Sequence, residues 1–507
     1  MKQVIIAGGG PVGLFLAREL QIGGVQALVI EAAAVRPQYS KALTVHPRTL
    51  EILAMRGIHE QMLEEGLRIP NGHFGVLENR LDFAALDTEF QFTLAYPQVR
   101  TEETLERHAL DAGAELRKGH RVTNVRQTDD AVTVTIEGPD GSYEESAEYV
   151  VGCDGAKSVV RAASGIDFPG TVSTVFGFLG DVGLDAPPER IGYSCHGESG
   201  TLMVAPLPGG IYRFVGVDPA RQAARGEELS FEEFRESVTR IAGTDFGMHD
   251  PQWLSRYGNA TRQADAYRTG RVLVAGDAAH IHFPTGGVGL NVGLQDAFNL
   301  GWKLARTIKD TGSAGLLDTY HHERHPVGQS LLTNSAAQTA VITAFSPEGQ
   351  GLRTLLNELI NTNPAFSVDL AERLSALAVR YPDDSKVAHR LAGSRVPNTD
   401  LSGEHIGSRL FSLFSMALPV LVNFTENHEW TSVAIQGFDA VRTSVDPKNS
   451  PAQREWDSVA AMLVRPDGYV AWASDASDPD TLSSGARVAL EAIASARGNS
   501  QGPKHSQ

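Results

Sequence analysis

Two cysteines, Cys153 and Cys195, are all that the 507 residues contain. Two thiols cannot form a disulfide framework, and with no C-x-x-C pair there is no zinc or dithiol motif. Positive charge is also scarce: 44 Lys and Arg stand against 61 Asp and Glu, a formal charge of −17. With no basic tract, nucleic acid and anionic membrane surfaces are excluded as partners. Long apolar runs are missing. The longest, Phe411 to Phe424, is too short to span a bilayer and contains Pro419. The N-terminus passes straight into Val4-Ile5-Ile6-Ala7, leaving no room for the charged and apolar regions of a signal peptide. A cytoplasmic globular protein is expected, and its 42% apolar residues suffice for a sizeable core. At roughly 150 residues per domain the length predicts two to four domains.

Residues 1–180 read as alternating strands and helices. Gln3–Ala7, a helix over Pro11–Gly23 and Ala27–Ile30 make a β-α-β unit, which implies a parallel sheet. A helix follows from Pro47 to Arg56, and Val132–Glu137 alternates as a half-buried strand does. From 172 to 265 the pattern changes. Phe176–Gly183, Thr201–Ala205 and Ile211–Val217 read as strands and Phe231–Ile241 as an amphipathic helix, which predicts an inserted antiparallel sheet. α/β character returns with the buried strand Arg271–Ala275 and a helix over Leu290–Lys309, and residues 315–380 are mainly helical. A last segment holds strand-like Thr431–Ile435, Ala460–Val464 and Tyr469–Ala473, and the tail after Ser495 is expected to fray.

Three motifs carry chemistry. Gly8-Gly9-Gly10-Pro11-Val12-Gly13 fits G-x-G-x-x-G between strand and helix. Gly8 permits the turn, Gly10 admits a pyrophosphate and Gly13 lets helix and strand pack closely. The helix N-terminus offers free N–H groups to phosphates. Glu31, 18 residues beyond Gly13, ends the second strand, where an acid grips a ribose diol. The second motif is Val274-Ala275-Gly276-Asp277-Ala278-Ala279-His280, followed by Pro284 and Gly286-Gly287-Val288-Gly289-Leu290-Asn291. Here an acid at a strand end meets a sugar-like hydroxyl, glycines let main chain lie against a flat ring, and a helix aims its positive end at that ring. The third is Cys153-Asp154-Gly155 with Arg161 downstream.

In this order the three motifs resemble those of the class A flavoprotein aromatic monooxygenases, and within them the aromatic polyketide hydroxylases and rifampicin monooxygenase. Arg262-Gln263-Ala264, Gly293–Ala297, Asn299–Leu304 and Tyr320–Pro326 are similar to that subgroup, and Val464–Trp472 is similar to its C-terminal domain. The resemblance implies an α/β fold: a Rossmann-like FAD-binding domain over 1–171 and 266–395, with a helical extension over 315–395. It further implies an inserted antiparallel β-sheet substrate domain over 172–265 and a thioredoxin-like domain over 396–507. That last domain contains no cysteine, so a redox role for it is excluded.

The resemblance also implies roles. FAD is the cofactor and NAD(P)H a transient reductant. O2 adds at flavin C4a, and the hydroperoxide transfers oxygen to an electron-rich aromatic, polyketide-like small molecule. Gly8, Gly10, Val12, Gly13 and Glu31 would hold the adenosine half of FAD, with Val122 on the adenine side and Gln98 near the ribityl phosphate. Asp277 would bind the ribityl chain or pyrophosphate, and Pro284, Gly287, Leu290 and Asn291 would line the isoalloxazine. Asp154 and Arg161 match the D-G motif linked to FAD and NAD(P)H. Lys41 stands where the family usually has Arg and lacks its bidentate fork. Arg48 faces phosphate or ring, or is a surface helix arginine. The protein is expected to be a monomer or homodimer.

Only one full G-x-G-x-x-G is present, so NAD(P)H has no second dinucleotide domain. His249 and Trp253 have the final spacing of a Baeyer–Villiger box but lack its upstream Phe and Gly, and read as packing. Arg213 is the one candidate catalytic residue: it touches the flavin edge or a substrate carbonyl, or is a solvated strand arginine. His73, Phe74, Phe83 and Phe90 read as pocket lining or as core. His280 and His282 lack a third ligand and read as structural, so no metal is expected. Glu323 and Arg324 on the Tyr320 helix read as a structural ion pair, not a catalytic one. Alternative outcomes on the same scaffold are Baeyer–Villiger insertion, ring opening, antibiotic inactivation, or flavin binding without turnover.

Overall fold

The computed structural model describes residues 1–190, 192–222, 227–313, 315–382, 389–402, 405, 407–445, 456 and 458–493. The expectation for the tail after Ser495 lies outside them.

The opening β-α-β unit runs through Lys2–Ala7, Pro11–Ile22 and Ala27–Glu31. Lys2–Ala7 is central in an eight-stranded sheet, paired in parallel with Ala27–Glu31 on one side and Gly141–Gly152 on the other. Val272–Val274 continues the sheet in parallel beyond Gly141–Gly152, and Glu115–Lys118 closes the far edge. Alternation along the central strand divides the core. Val4 and Ile6 face the helices, and Ile5 and Ala7 face the antiparallel strands Arg121–Gln127 and Val132–Gly138. The helix Gly289–Ile308 lies against Pro11–Ile22, with Phe15 and Phe298 stacked at 5.9 Å. The close crossing needs Gly301, because a Cβ there would stand 2.4 Å from Glu19 Cβ.

The inserted sheet has five antiparallel strands in the order Tyr193–Gly197, Gly200–Pro206, Ile211–Val217, Phe176–Leu184, Met248–Gly258. Phe231–Ala242 covers one face, its Ser230 cap accepting from Glu233 N–H at 3.2 Å. The strand Met248–Gly258 has no clear sequence signature, because it is an edge strand whose first half is polar, exposed and interrupted by Pro251.

Three helices follow, Thr319–Ile342, Pro347–Thr362 and Pro364–Ser375. The C-terminal unit is a four-stranded sheet in the order Val441–Ser444, Val420–Asn423, Ala461–Val464, Val470–Ser474; the first pair is parallel and the others antiparallel. One expectation fails here. Thr431–Ile435 belongs largely to the helix Glu429–Ala434, not to a strand. Its β-branched residues imitate strand alternation. Trp430 and Ala434 instead form a helical face that packs with Leu482 and Ala486 of Pro479–Ile493.

Candidate active site

The three motifs converge because the strands that carry them are neighbours. Ala7 pairs with Gly152, and Gly152 with Val274, so their carboxyl ends lie side by side. This is where an open α/β sheet places its ligand. Gly8 takes φ +105°, and a Cβ on it would stand 2.3 Å from the Cys153 carbonyl oxygen. A Cβ on Gly13 would stand 2.0 Å from the Gly8 oxygen. A Cβ on Gly10, by contrast, would meet nothing within 4 Å. Gly8 and Gly13 therefore serve the fold, and Gly10 leaves space for something that is not protein. The helix that Gly10 opens has Pro11 at its first position and no side-chain cap, so its leading N–H groups remain available. Val12 packs across the turn, its Cγ2 being the nearest atom to a Cβ built on Gly276 (3.0 Å) or Gly293 (2.7 Å).

Glu31 stands over the turn, its Oε2 accepting from Gly9 N–H and its Oε1 from Ala33 N–H, both at 2.7 Å. Asp154 Oδ2 accepts from Val159 N–H (2.8 Å), and its Oδ1 is buried without a partner. Arg161 donates to the carbonyls of Ala278 (2.8 Å) and Ala156 (3.0 Å), tying the second and third motifs together. Asp277 is exposed at the end of Val272–Val274. Behind it, Asp296 receives Gly276 N–H (3.1 Å), His280 Nε2 (2.7 Å) and Arg324 Nε (2.8 Å). Asp296 is fully buried. Burial would raise its carboxyl, but Arg324 and His280 outweigh this and hold it below the usual range. His280 is thus structural, as its sequence context suggests.

On the ring side, segment 41–46 runs between Gln98 and the Gly286–Asn291 turn. Gln98 Oε1 accepts from Ala42 N–H (3.1 Å). Asn291 donates to the carbonyls of Thr44 (3.0 Å) and Gly287 (2.9 Å) and accepts His46 N–H (2.8 Å). His46 Nε2 lies 2.7 Å from the Gly286 oxygen. Lys41 and Pro284 are exposed, Leu290 and Gly287 are half-buried, and Val122 is buried in the second core cluster. The helix Gly289–Ile308 starts here without a side-chain cap.

Three expectations need correcting. Asn291 is 1% exposed and both ends of its amide are bonded to protein, so it shapes the ring-side turn and does not line it. Arg48 is 0% exposed, paired with Glu51 (2.8 Å), bonded to the Asp467 carbonyl (3.0 Å) and set over Tyr469. Neither the surface reading nor the cofactor reading holds, because a group with no accessible surface has nothing to offer a ligand. Glu323 and Arg324 do not pair with each other. Successive helical residues diverge by about 100°, and Glu323 meets Lys303 and Arg465 while Arg324 meets Asp296.

Arg213 is no solvated arginine. It is 2% exposed and donates to Asp181 from Nε (2.6 Å) and Nη2 (2.5 Å), leaving Nη1 buried and unpartnered. Trp253 lies beside it and stacks on Tyr39 at 4.5 Å, which joins the inserted sheet to the loop after Ala27–Glu31. His249 is half-exposed beside Asp250. Phe83 and Phe90 are core, and His73 and Phe74 are half-buried. Sequence reasoning missed the roles of Asp296, of His46 and of Gln338, whose Oε1 accepts Thr285 Oγ1–H (3.0 Å), since their partners lie far away in the chain. Among the described residues no helix is long and apolar enough to cross a membrane, and no three His, Cys, Asp or Glu are arranged to hold a metal.

Comparison with known proteins agrees with this geometry. Residues 1–335 match the FAD binding domain family, and 389–495 match the C-terminal region of aromatic-ring hydroxylases. The chain is 42% identical over 497 residues to the 12-dehydrotetracycline 5-monooxygenase/anhydrotetracycline 6-monooxygenase of Streptomyces rimosus, covering 96% of this chain and 97% of that protein. It is 41% identical over 483 residues to a rifampicin monooxygenase of Streptomyces venezuelae, covering 94% and 96%. The solved anhydrotetracycline hydroxylase from Streptomyces rimosus superposes with a TM-score of 0.88 at 41% identity, covering 97% of this chain and 99% of that one.

Proposed function

The chain belongs to the FAD-dependent aromatic-ring hydroxylases, monooxygenases that carry this FAD-binding domain, and from that premise we propose that it hydroxylates a polycyclic, polyketide-like aromatic compound with NAD(P)H and O2 as co-substrates. The observation that carries the reading is the meeting of the Gly8–Gly13, Asp154 and Gly276–Asp277 motifs at three adjacent strand ends.

The residues present fit FAD. Open space at Gly10 and the uncapped helix start suit its pyrophosphate, and Glu31 suits the adenosine ribose. Asp277, the orphaned Asp154 Oδ1 and Gln98 suit the ribityl stretch, and the Gly286–Leu290 turn suits the ring. Bound FAD supplies the electron transfer from NAD(P)H and the activation of O2. The protein supplies the rest. The start of Gly289–Ile308 favours negative charge on the ring. Arg213, the candidate catalytic residue, is bound to Asp181 with its Nη1 buried, so it presents no accessible donor to a ring edge or a substrate carbonyl. The proposed division is 1–171 with 266–395, 172–265 and 396–507, and the separate eight-, five- and four-stranded sheets support it. A thioredoxin-like reading of the last is supported by its strand order and by the described helices Glu429–Ala434 and Pro479–Ile493. A cytoplasmic monomer or homodimer completes the reading.

The test is NADPH consumption by the yellow, FAD-loaded protein across polycyclic phenols and quinones, with 18O2 labelling of the product. One labelled hydroxyl per NADPH supports the proposal, and no consumption with any aromatic probe refutes it. A second reading, antibiotic inactivation by oxygen insertion, draws on the likeness to rifampicin monooxygenase. A labelled product with an expanded or opened ring would favour it.

A further inference from the structure

The segment Asn71–Val76 carries chemistry that the cofactor cradle does not use. Residues on either side of His73 are fixed to the ring-side turn through shared third groups. Gly72 and Gly286 pack against one leucine: a Cβ on Gly72 would stand 2.4 Å from Leu374 Cδ2, and one on Gly286 would stand 2.9 Å from its Cδ1. Gly75 N–H donates to Gln338 Oε1 (3.2 Å), which also accepts Thr285 Oγ1–H (3.0 Å). His73 is therefore held beside the Thr285–Gly287 turn, where the ring of the cofactor is expected. The next residue along, Val76, belongs to an apolar cluster with Val217 of the inserted sheet, Phe283 and Ile342.

The backbone after His73 is strained. Gly75 and Val76 take φ +56° and +57°, and a β-branched residue rarely adopts that region. Arg353 holds the turn by donating to the carbonyls of Gly75 (3.0 Å) and Val76 (2.8 Å). Strain that neighbouring groups enforce in this way marks functional sites more often than plain loops. Its effect here is to turn Val76 N–H onto His73 Nδ1 at 3.4 Å. A ring nitrogen that accepts an N–H carries no proton of its own, so the neutral imidazole is protonated at Nε2. Burial, with help from Arg80 and His46, pushes this imidazole down to about 4, so at neutral pH the ring is uncharged. Arg80 is itself engaged with the Leu77 carbonyl and Ser194 Oγ of the inserted sheet. Among the described residues nothing accepts the Nε2 proton of His73, and the residue is half-buried.

We propose that His73 is a substrate-binding residue whose Nε2–H donates to a phenol or quinone oxygen of an aromatic compound lying beside the Thr285–Gly287 turn. The inference rests on the functional reading above and narrows it. A neutral donor suits an oxygenated, uncharged polycycle, whereas a benzoate-type carboxylate calls for a cation. Fixing one ring oxygen selects which carbon faces the reacting edge, so His73 acts on regiochemistry as well as affinity.

The test uses FAD-loaded enzyme and a matched pair of probes, 1-naphthol and naphthalene, with dissociation constants read from tryptophan fluorescence. His73→Phe is expected to weaken 1-naphthol about tenfold and to leave naphthalene and FAD affinity within about twofold. His73→Gln, whose amide N–H reaches nearly the Nε2 position, is expected to recover most of the loss. Should the Phe variant not fold, His73→Asn, which is too short to reach, takes its place against Gln with the same expected contrast. Unchanged 1-naphthol affinity, or equal weakening of both probes, overturns the role of His73 and leaves the function standing. Failure of the wild-type holoenzyme to bind either probe overturns the functional reading and His73 with it.

Discussion

Glu323 gives both carboxylate oxygens to Arg465, Nη1 to Oε1 at 2.6 Å and Nη2 to Oε2 at 2.8 Å. Lys303 adds a third cationic contact at 2.7 Å, and Asp467 Oδ2 returns the balance on the far side of Arg465. The pair joins the helix Thr319–Ile342 to the turn before Val470–Ser474, and so ties the C-terminal unit to the cofactor helix that bears Lys303. Burial opposes charge on Glu323, but Arg465 and Lys303 outweigh it and keep the carboxyl far below its ordinary range. Removing one partner of such a buried group leaves the others uncompensated. Glu323→Gln is expected to cost about 3–5 kcal/mol, read as a lowered denaturant midpoint. An unchanged midpoint would mean that the C-terminal unit is not coupled through this contact.

Glycines that serve the fold and glycines that serve the ligand make separable predictions. A Cβ at Gly13 collides with the Gly8 oxygen at 2.0 Å, so Gly13→Ala is expected to destabilise the apoprotein itself. A Cβ at Gly10 meets no protein atom within 4 Å. Gly10→Ala is therefore expected to leave apoprotein melting nearly unchanged while weakening FAD at least about tenfold, since the methyl fills the space left for the pyrophosphate. Equal effects of the two variants on the apoprotein would refute the assignment.

Asp277 offers the same contrast in polar form. Its carboxylate is exposed, while the clamp behind it runs through Asp296. Hydrogen bonds to charged groups are worth about 1.5–3 kcal/mol, so Asp277→Asn is expected to weaken FAD roughly 10- to 100-fold with apoprotein stability intact. Asp296→Asn leaves Arg324 buried and half-paired, and is expected to lower apoprotein stability and FAD affinity together. Fluorescence titration with FAD and apoprotein melting read both outcomes.

The parts of this site that could be read from the sequence are those where local backbone geometry dictates residue type. Gly8 needs a left-handed φ, Gly13 needs a close crossing, and Glu31 and Asp277 stand at strand ends, each with a short-range signature. What could not be read is decided by partners far away in the chain. Arg48 could be read as facing phosphate or ring, or as a surface arginine, because nothing near it reveals that residues 467 and 469 fold over it. Asn291 sits inside a ring-facing motif, yet its amide is consumed by Thr44, His46 and Gly287. Arg213 could be placed on a strand face, but its pairing with Asp181 depends on which strand lies alongside. Thr431–Ile435 shows the same limit in secondary structure, where burial against Pro479–Ile493 decided for helix.

His46 makes a prediction about pH. Its Nε2 lies 2.7 Å from the Gly286 carbonyl oxygen, so that nitrogen bears the proton. Burial pushes the imidazole down to about 4, and the carbonyl contact only partly offsets it. In the unfolded chain the same ring titrates near 6.5. The folded value is the lower one, so as pH falls from 6.5 towards 4 the unfolded chain takes up a proton that the native protein refuses. Stability is thus full above pH 6.5 and declines through that window. At about 1.4 kcal/mol per pH unit, His46 alone is expected to remove about 2 kcal/mol at pH 5. His73 and His196, also depressed mainly by burial, steepen the decline in the same direction. Denaturant unfolding of wild type and His46→Asn at pH 7.5 and pH 5 isolates the contribution. The variant starts less stable, but its loss between the two pH values is expected to be smaller by about 2 kcal/mol. Equal losses would mean that His46 takes up its proton in the folded state, and the ring-side turn it supports would then be open to water.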